Sequence, residues 1–166
     1  MAVKSMNDLL IDELRDIYHA EKQLTRALPK LARAASNEQL KEAFTQHLEE
    51  TRGQIERLEQ VFELLDTRTR GKPCHAMEGL IEEAKEIMEM GLVSELLDVA
   101  LIAAAQKVEH YEIAGYGTLV ALAQTSGFNE AAQLLQETLD EEKKTDQLLN
   151  EIAISDVNKK AMEAAA

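Results

Sequence analysis

Five glutamates fall on helix faces that are otherwise apolar. Glu21 shares a face with Leu14, Ile17, Tyr18, Leu24 and Leu28. Glu112 shares one with Ala105, Val108, Tyr116 and Leu119, and Glu109 lies one turn earlier, also inward. Glu142 sits among Leu135, Leu139, Asp146 and Leu149. Glu50 lies with Ala43, His47, Gln54 and Leu58 at the edge of its stripe. A buried, unpaired carboxylate is costly, and glutamate is rarely buried without a partner. Brought to one depth in a low-dielectric core, such acids could not all ionise. Divalent cations remove the conflict, and carboxylates bridging two metals are the known solution in four-helix bundles.

The donor set departs from the usual di-iron pattern, which places His three residues after the Glu of the second and fourth helices. Gly53 and Thr145 stand at those spacings here. Gln54 and Asp146, one residue further on, offer oxygen ligands instead. An all-oxygen set is harder and less selective, so Mg, Ca and Mn are compatible with it as well as iron. His47, one turn before Glu50, is a secondary candidate as ligand or as donor to a ligand; a hydrogen-bonded interior role is its commoner fate. His110 is assigned to helix packing near Ala103, Ala114 and Gly117, and His19 to a solvated side with Arg15, Lys22 and Arg26. Tyr18, Tyr111 and Tyr116 read as core residues with satisfied hydroxyls. Cys74, beside Pro73 and His75, is weak as a reactive thiol. A competing reading pairs the inward acids with Lys107, Arg57 or tyrosines, leaving a helical scaffold without metal.

Four long amphipathic segments must position these residues. They run from about Ser5 to Ala35, Asn37 to Leu65, Ser94 to Gln124, and Phe128 or Asn129 to Ile154. Ser5 with Asp8 reads as an N-cap, and Pro29 as a kink or a weak last turn. The turns Ser36-Asn37 and Ser126–Asn129 are short, making antiparallel neighbours. The stretch from Asp66 to Val93 is a long crossover in which HAMEGLIEEAKEIME forms a short fifth helix. Two hairpins joined by one crossover give the expected fold: all-α, a ferritin-like four-helix bundle. Residues 1–166 form one domain, with residues 158–166 expected to fray. Asn37-Glu38 and Asn129-Glu130, each followed by an acid pair, hint at an internal repeat. Glu21 and Glu50 lie about fifteen and fourteen residues from the first turn, or roughly 21–22 Å. Glu112 and Glu142 each lie about fifteen residues from Gly127. Each hairpin therefore sets two acids level near mid-height.

Composition narrows the classes. The net charge is −13, from 31 acids and 18 bases, so phosphate binding through a basic face is not expected and nucleic acid is excluded as a partner. One cysteine excludes an internal disulfide framework, a Cys-rich zinc site and an iron–sulfur cluster. No apolar run reaches the length of a membrane span, and the N-terminal residues lack a signal-peptide stretch, so the expected location is the cytoplasm. No nucleophile elbow, P-loop or dinucleotide fingerprint is present.

The blocks AEKQLTRALPKLARAASNE, HLEETRGQIERLEQVF, MEGLIEEA, ALIAAAQKVEHYEIAGYGTL and LLQETLDEEKKTD closely resemble the bacterial YciF stress-protein family over nearly the whole chain. The resemblance implies a ferritin-like fold close to rubrerythrins, a role in stress response and a homodimer. Set against rubrerythrin, Glu21 and Glu50 resemble its first- and second-helix glutamates, and Glu109 and Glu112 its Glu-x-x-Glu. Glu141 or Glu142 matches its fourth-helix glutamate, with Glu142 preferred on stripe phase. The His ligands and the Cys-rich electron-transfer module have no counterparts. The resemblance thus implies a pair of iron ions, bridged by Glu50 and Glu142 and flanked by Glu21, Glu109 and Glu112. Their chemistry would be ferroxidase-like or peroxide-consuming. The alternative readings are a dimeric, partner-binding scaffold without metal and, less favoured, a storage cage.

Overall fold

The computed structural model describes residues 3–164. All regular structure in them is helical: α1 (Met6–Ala34), α2 (Glu38–Leu64), α3 (His75–Glu89), α4 (Ser94–Thr125), α5 (Asn129–Ile152), a π-helical turn (Ala153–Val157) and α6 (Asn158–Ala164). The Ser5 hydroxyl accepts the Asp8 N–H at 3.1 Å and so begins α1. Pro29 does not end that helix, since Lys30–Ala34 continue it. The helix α1 packs on α2 and α4, and α5 packs on α4 and α2, so the four long helices close a ring. The short α3 lies against α1 and α4, while α6 lies against α4.

Both tight turns have a local cause. Between α1 and α2, the buried Asp98 of α4 accepts the Ser36 N–H at 2.8 Å, the Asn37 N–H at 2.9 Å and the Ser36 hydroxyl. Asn37 caps α2 by accepting the Leu40 N–H at 3.1 Å, and its amide donates to Asp156 at 2.7 Å. Between α4 and α5, Gly127 takes φ +81°, which favours glycine. The Phe128 N–H then reaches the Ala123 carbonyl at 2.9 Å and closes the end of α4.

Two sequence expectations fail here. Residues 158–164 are not frayed: Asn158–Ala164 form α6, with Ala161 and Val157 buried. Residues 165–166 lie outside the described residues. Composition could not show that a π turn after Ile152 swings this small-residue tail onto α4. Nor is His19 on a purely solvated side. The crossover covers it, and its Nδ1 accepts the Cys74 N–H at 3.1 Å. The Lys72 N–H bonds the Arg15 carbonyl at 2.9 Å, and the Lys72 ammonium meets Asp12 at 2.7 Å, so α1 forms the floor of the crossover. Cys74 is buried at the N-cap of α3, its sulfur 2.9 Å from the Tyr111 hydroxyl. Burial pushes its thiol up, away from thiolate reactivity.

Candidate metal centre

The stripe that α2 turns inward is Leu40, Phe44, His47, Thr51, Gln54, Leu58 and Val61, all buried. Its middle is polar, and at that depth the other three long helices also turn carboxylates inward. Glu21, Glu112 and Glu142 are 0% exposed, Glu109 is 2% and His47 is 3%. His47 Nε2 lies 3.2 Å from Glu109 Oε1 and 3.8 Å from Glu142 Oε2. His47, Glu109, Glu112 and Glu142 each present a ligand atom, and those atoms all lie within 4.8 Å of one another. Glu21 stands beside Glu112 and accepts the Tyr116 hydroxyl. The centre thus has one half built on His47, Glu109 and Glu142 and another on Glu21 and Glu112.

The remaining candidates lie further out. Glu50 is at the rim, its side chain 25% exposed, accepting the Gln46 amide at 2.9 Å and lying 3.6 Å from His47 Nδ1. Gln54 is buried but donates to Glu141 at 3.0 Å. Asp146 meets His110 and the Gln106 amide, each at 3.2 Å, and does not join the central group. His110 is therefore not a packing residue: its side chain is 70% exposed and faces α5 across the α4 boundary. Glu141, the alternative to Glu142, turns outward into an ion pair with Arg57, whose guanidinium also reaches the Thr138 hydroxyl at 2.6 Å. Lys107 pairs with Glu83 at 2.8 Å. Neither base suggested as a neutralising partner reaches the inward acids.

The apolar periodicity of this helix in the sequence runs through Leu40, Phe44, Leu48, Ile55, Leu58 and Phe62, and it understates His47 because Leu48 and Ile55 are only partly buried. The run through Phe44, His47, Thr51 and Gln54 is the signal that locates it, hidden because three of its members are polar.

The family model described as "Domain of unknown function (DUF892)" matches residues 5–162. The chain belongs to this family. It is 59% identical over 162 residues to Protein YciF of Escherichia coli strain K12, covering 97% of this chain and 98% of that protein. The crystal structure of the E. coli stress protein YciF matches with a TM-score of 0.91, covering 95% of this chain and 99% of that one at 59% identity. YcfI from Rhodopseudomonas palustris matches at 48% identity and a TM-score of 0.88, covering 89% of this chain and 94% of that one. A Xanthomonas campestris protein at 23% identity and a TM-score of 0.76 shares the fold alone. The chain is thus a homologue of a bacterial stress protein, and the family description assigns no activity. Among the described residues, no helix is long and apolar enough to cross a membrane.

For this DUF892 member, chemistry must be read from the electrostatics of the centre. Burial pushes Glu21 up to about 7, against the relief given by the Tyr116 hydroxyl and His47. Burial, then the charges of Glu21, Glu142 and Glu109, hold Glu112 well above the usual carboxylate range. Burial also raises Glu142, with His47 opposing and Glu109 adding to the rise. Burial alone would depress the His47 imidazole, but the carboxylates of Glu109, Glu50 and Glu142 lift it well above its ordinary value. Hydrogen bonding does not compensate for this crowding. Both oxygens of Glu112, both of Glu142, one each of Glu21 and Glu109, and both His47 nitrogens are buried without a hydrogen-bond partner in good geometry. Buried polar atoms normally find partners. Carboxylate oxygens and an imidazole converging in this way are the donor types that suit iron, manganese or zinc. The residues fit a resident metal.

Proposed function

We propose that the four long helices form a ferritin-like bundle whose core holds two divalent metal ions, iron above all, and that the protein serves stress defence through them. His47, Glu109 and Glu142 would hold one ion, Glu21 and Glu112 the other, with Glu50 reaching in from the rim. The observation that carries this reading is the set of four buried carboxylate oxygens on Glu112 and Glu142, none with a hydrogen-bond partner, and with His47 as the base beside Glu142. Iron held there supplies one-electron redox chemistry toward dioxygen or peroxide, which makes the activity ferroxidase-like or peroxide-consuming.

The chain's own residues prepare the site. Tyr116, fully buried, donates its hydroxyl to Glu21 and fixes that carboxylate. His47 brings an imidazole among the acids and holds the α2 side of the centre against Glu109. Leucines above and below, such as Leu24 and Leu135, exclude bulk water and so strengthen every charge interaction inside. The set is richer in oxygen than the usual di-iron pattern, which leaves manganese as the nearest competitor. The exposed apolar group Met90, Val93 and Leu96 at the α3–α4 junction supports a homodimer rather than an isolated chain.

Elemental analysis of protein purified without chelator tests the reading. About two metal ions per chain are expected, as in carboxylate di-iron bundles, with loss in Glu21→Ala and Glu112→Ala. Equally low metal in all three, unchanged stability in EDTA and no spectral change on aerobic Fe(II) addition would instead establish a scaffold.

A further inference from the structure

A small cavity lies against the His47 side of the centre, with about 20 Å³ of space for the centre of a water-sized sphere. All four long helices line it. Leu24, Leu28 and Leu31 come from α1, Phe44 from α2, Val108 from α4 and Leu149 from α5. His47 and Glu109 close one corner. The remaining wall is aliphatic or aromatic but for Thr145. Interiors are close-packed, and voids that could admit a molecule are few in any domain. One placed beside buried acids therefore has a consequence for chemistry.

The lining selects its occupant. A buried water is held by about three hydrogen bonds to polar partners. Here the surface that meets the space is almost wholly apolar, although His47, Glu109 and Thr145 contribute to its lining. Hydrogen peroxide, with two donors and four lone pairs, needs still more partners than this wall offers. A diatomic gas has no hydrogen bonds to lose and gains dispersion contacts on every side. Apolar cavities in protein cores take up apolar solutes such as xenon for the same reason.

We propose that this cavity is a binding site for a small apolar gas of dioxygen's size, held within contact distance of His47 and Glu109. The inference rests on the metal reading for its purpose but not for its binding. It makes dioxygen, rather than peroxide, the oxidant that the centre is built to receive. Ala105 lies on the cavity wall and is outside the carboxylate cluster. Filling the space from that position blocks the gas without touching a ligand.

Crystals of the metal-free wild-type chain pressurised with xenon test the site directly. One xenon peak is expected between Leu28, Phe44 and Val108, and it disappears in Ala105→Leu. Phe44→Leu, which enlarges the same space, keeps the peak or raises its occupancy and covers the case in which the filled variant does not fold. Ordered water in the cavity, or xenon absent from the wild type and from Phe44→Leu, overturns the proposal. Metal content is measured on the same proteins. Ala105→Leu retains the wild-type metal content, and its half-saturating dioxygen concentration for Fe(II) oxidation rises several-fold. Xenon bound in a chain that never takes up metal would leave the gas site standing while the metal reading falls.

Discussion

Replacing Glu112 by glutamine should stabilise the metal-free protein and ruin it as a metal site. Glu112 is 0% exposed, has no hydrogen bond to either oxygen and faces Glu21, Glu109 and Glu142. Its protonated form can donate to Glu21; its ionised form can only repel. Glutamine has the same shape and imitates the protonated state at every pH. The neighbouring Glu21, raised by burial from 4.5 to about 7, shows what this environment costs an ionised carboxylate. At about 1.4 kcal/mol per pH unit, a shift of that size is worth about 3 kcal/mol. At pH 5 Glu112 is neutral in the native protein and only its unfolded form has begun to ionise, so the two proteins should differ least there. At pH 8 the variant should be the more stable of the two, and each 1 kcal/mol of difference would raise its Tm by about 2–4 °C for a chain of this size. Metal at a thousandfold excess over Kd reverses the order, because the ion held by Glu21 and Glu112, which the variant loses, then adds about 4.1 kcal/mol to the wild type. Thermal unfolding at the two pH values, with EDTA and with metal, reads all four corners. A variant destabilised equally at pH 5 and pH 8 would falsify the claim that crowded charge dominates this core.

Other consequences are independent of that variant. With EDTA present, the native state keeps a proton on Glu21 up to about pH 7, whereas the unfolded chain releases it near 4.5. More protons are bound in the native state across that window, so stability falls as pH rises through it. The raised His47, Glu112 and Glu142 act in the same direction. Urea unfolding at pH 5 and pH 8 checks the sign, and greater stability at pH 8 contradicts it. Asp98→Ala strips three donors at the α1–α2 turn of their acceptor and should cost about 3 kcal/mol in urea midpoint experiments, since donors to a buried carboxylate are left unpaired. Gly127→Ala meets no atom within 4 Å but must hold φ at +81°, so its cost should be about 1–2 kcal/mol and purely backbone in origin. A loss well above that range would mean that the α4–α5 turn is held by packing as well.

The helices were legible because their apolar periodicity is long and uninterrupted. The fifth helix, His75–Glu89, falls where HAMEGLIEEAKEIME places it. The inward glutamates were legible for the same reason: Glu21, Glu109, Glu112 and Glu142 are in phase with leucines on three helices. What escaped the sequence was decided by neighbours remote along the chain. His19 is an acceptor because the crossover lies over it, and His110 meets Asp146 because α5 packs alongside α4. His47 is central because α2 rotates a polar run, not Leu48 and Ile55, toward α4 and α5. Periodicity locates a stripe from its apolar members and is least informative where a site replaces them.

The two halves of the centre are balanced differently, and this bears on how metal enters. One half is neutralised by a raised imidazole against Glu109 and Glu142; the other by protons retained among Glu21 and Glu112 under the Tyr116 hydroxyl. A metal ligand must be deprotonated. Each ion therefore has to displace the proton that balances its half, from His47 on one side and from the Glu21–Glu112 pair on the other. Loading should release protons near pH 7 and bind more tightly as pH rises, opposite in sign to the stability of the metal-free chain. Zn²⁺, which has no redox chemistry of its own, makes the cleanest titrant. A weakly buffered indicator assay with Zn²⁺ should show proton release in the wild type and less of it in His47→Gln, which has no imidazolium to discharge. Metal uptake with no proton release would place the ions elsewhere on this acidic surface, because exposed carboxylates are already ionised and have nothing to give up.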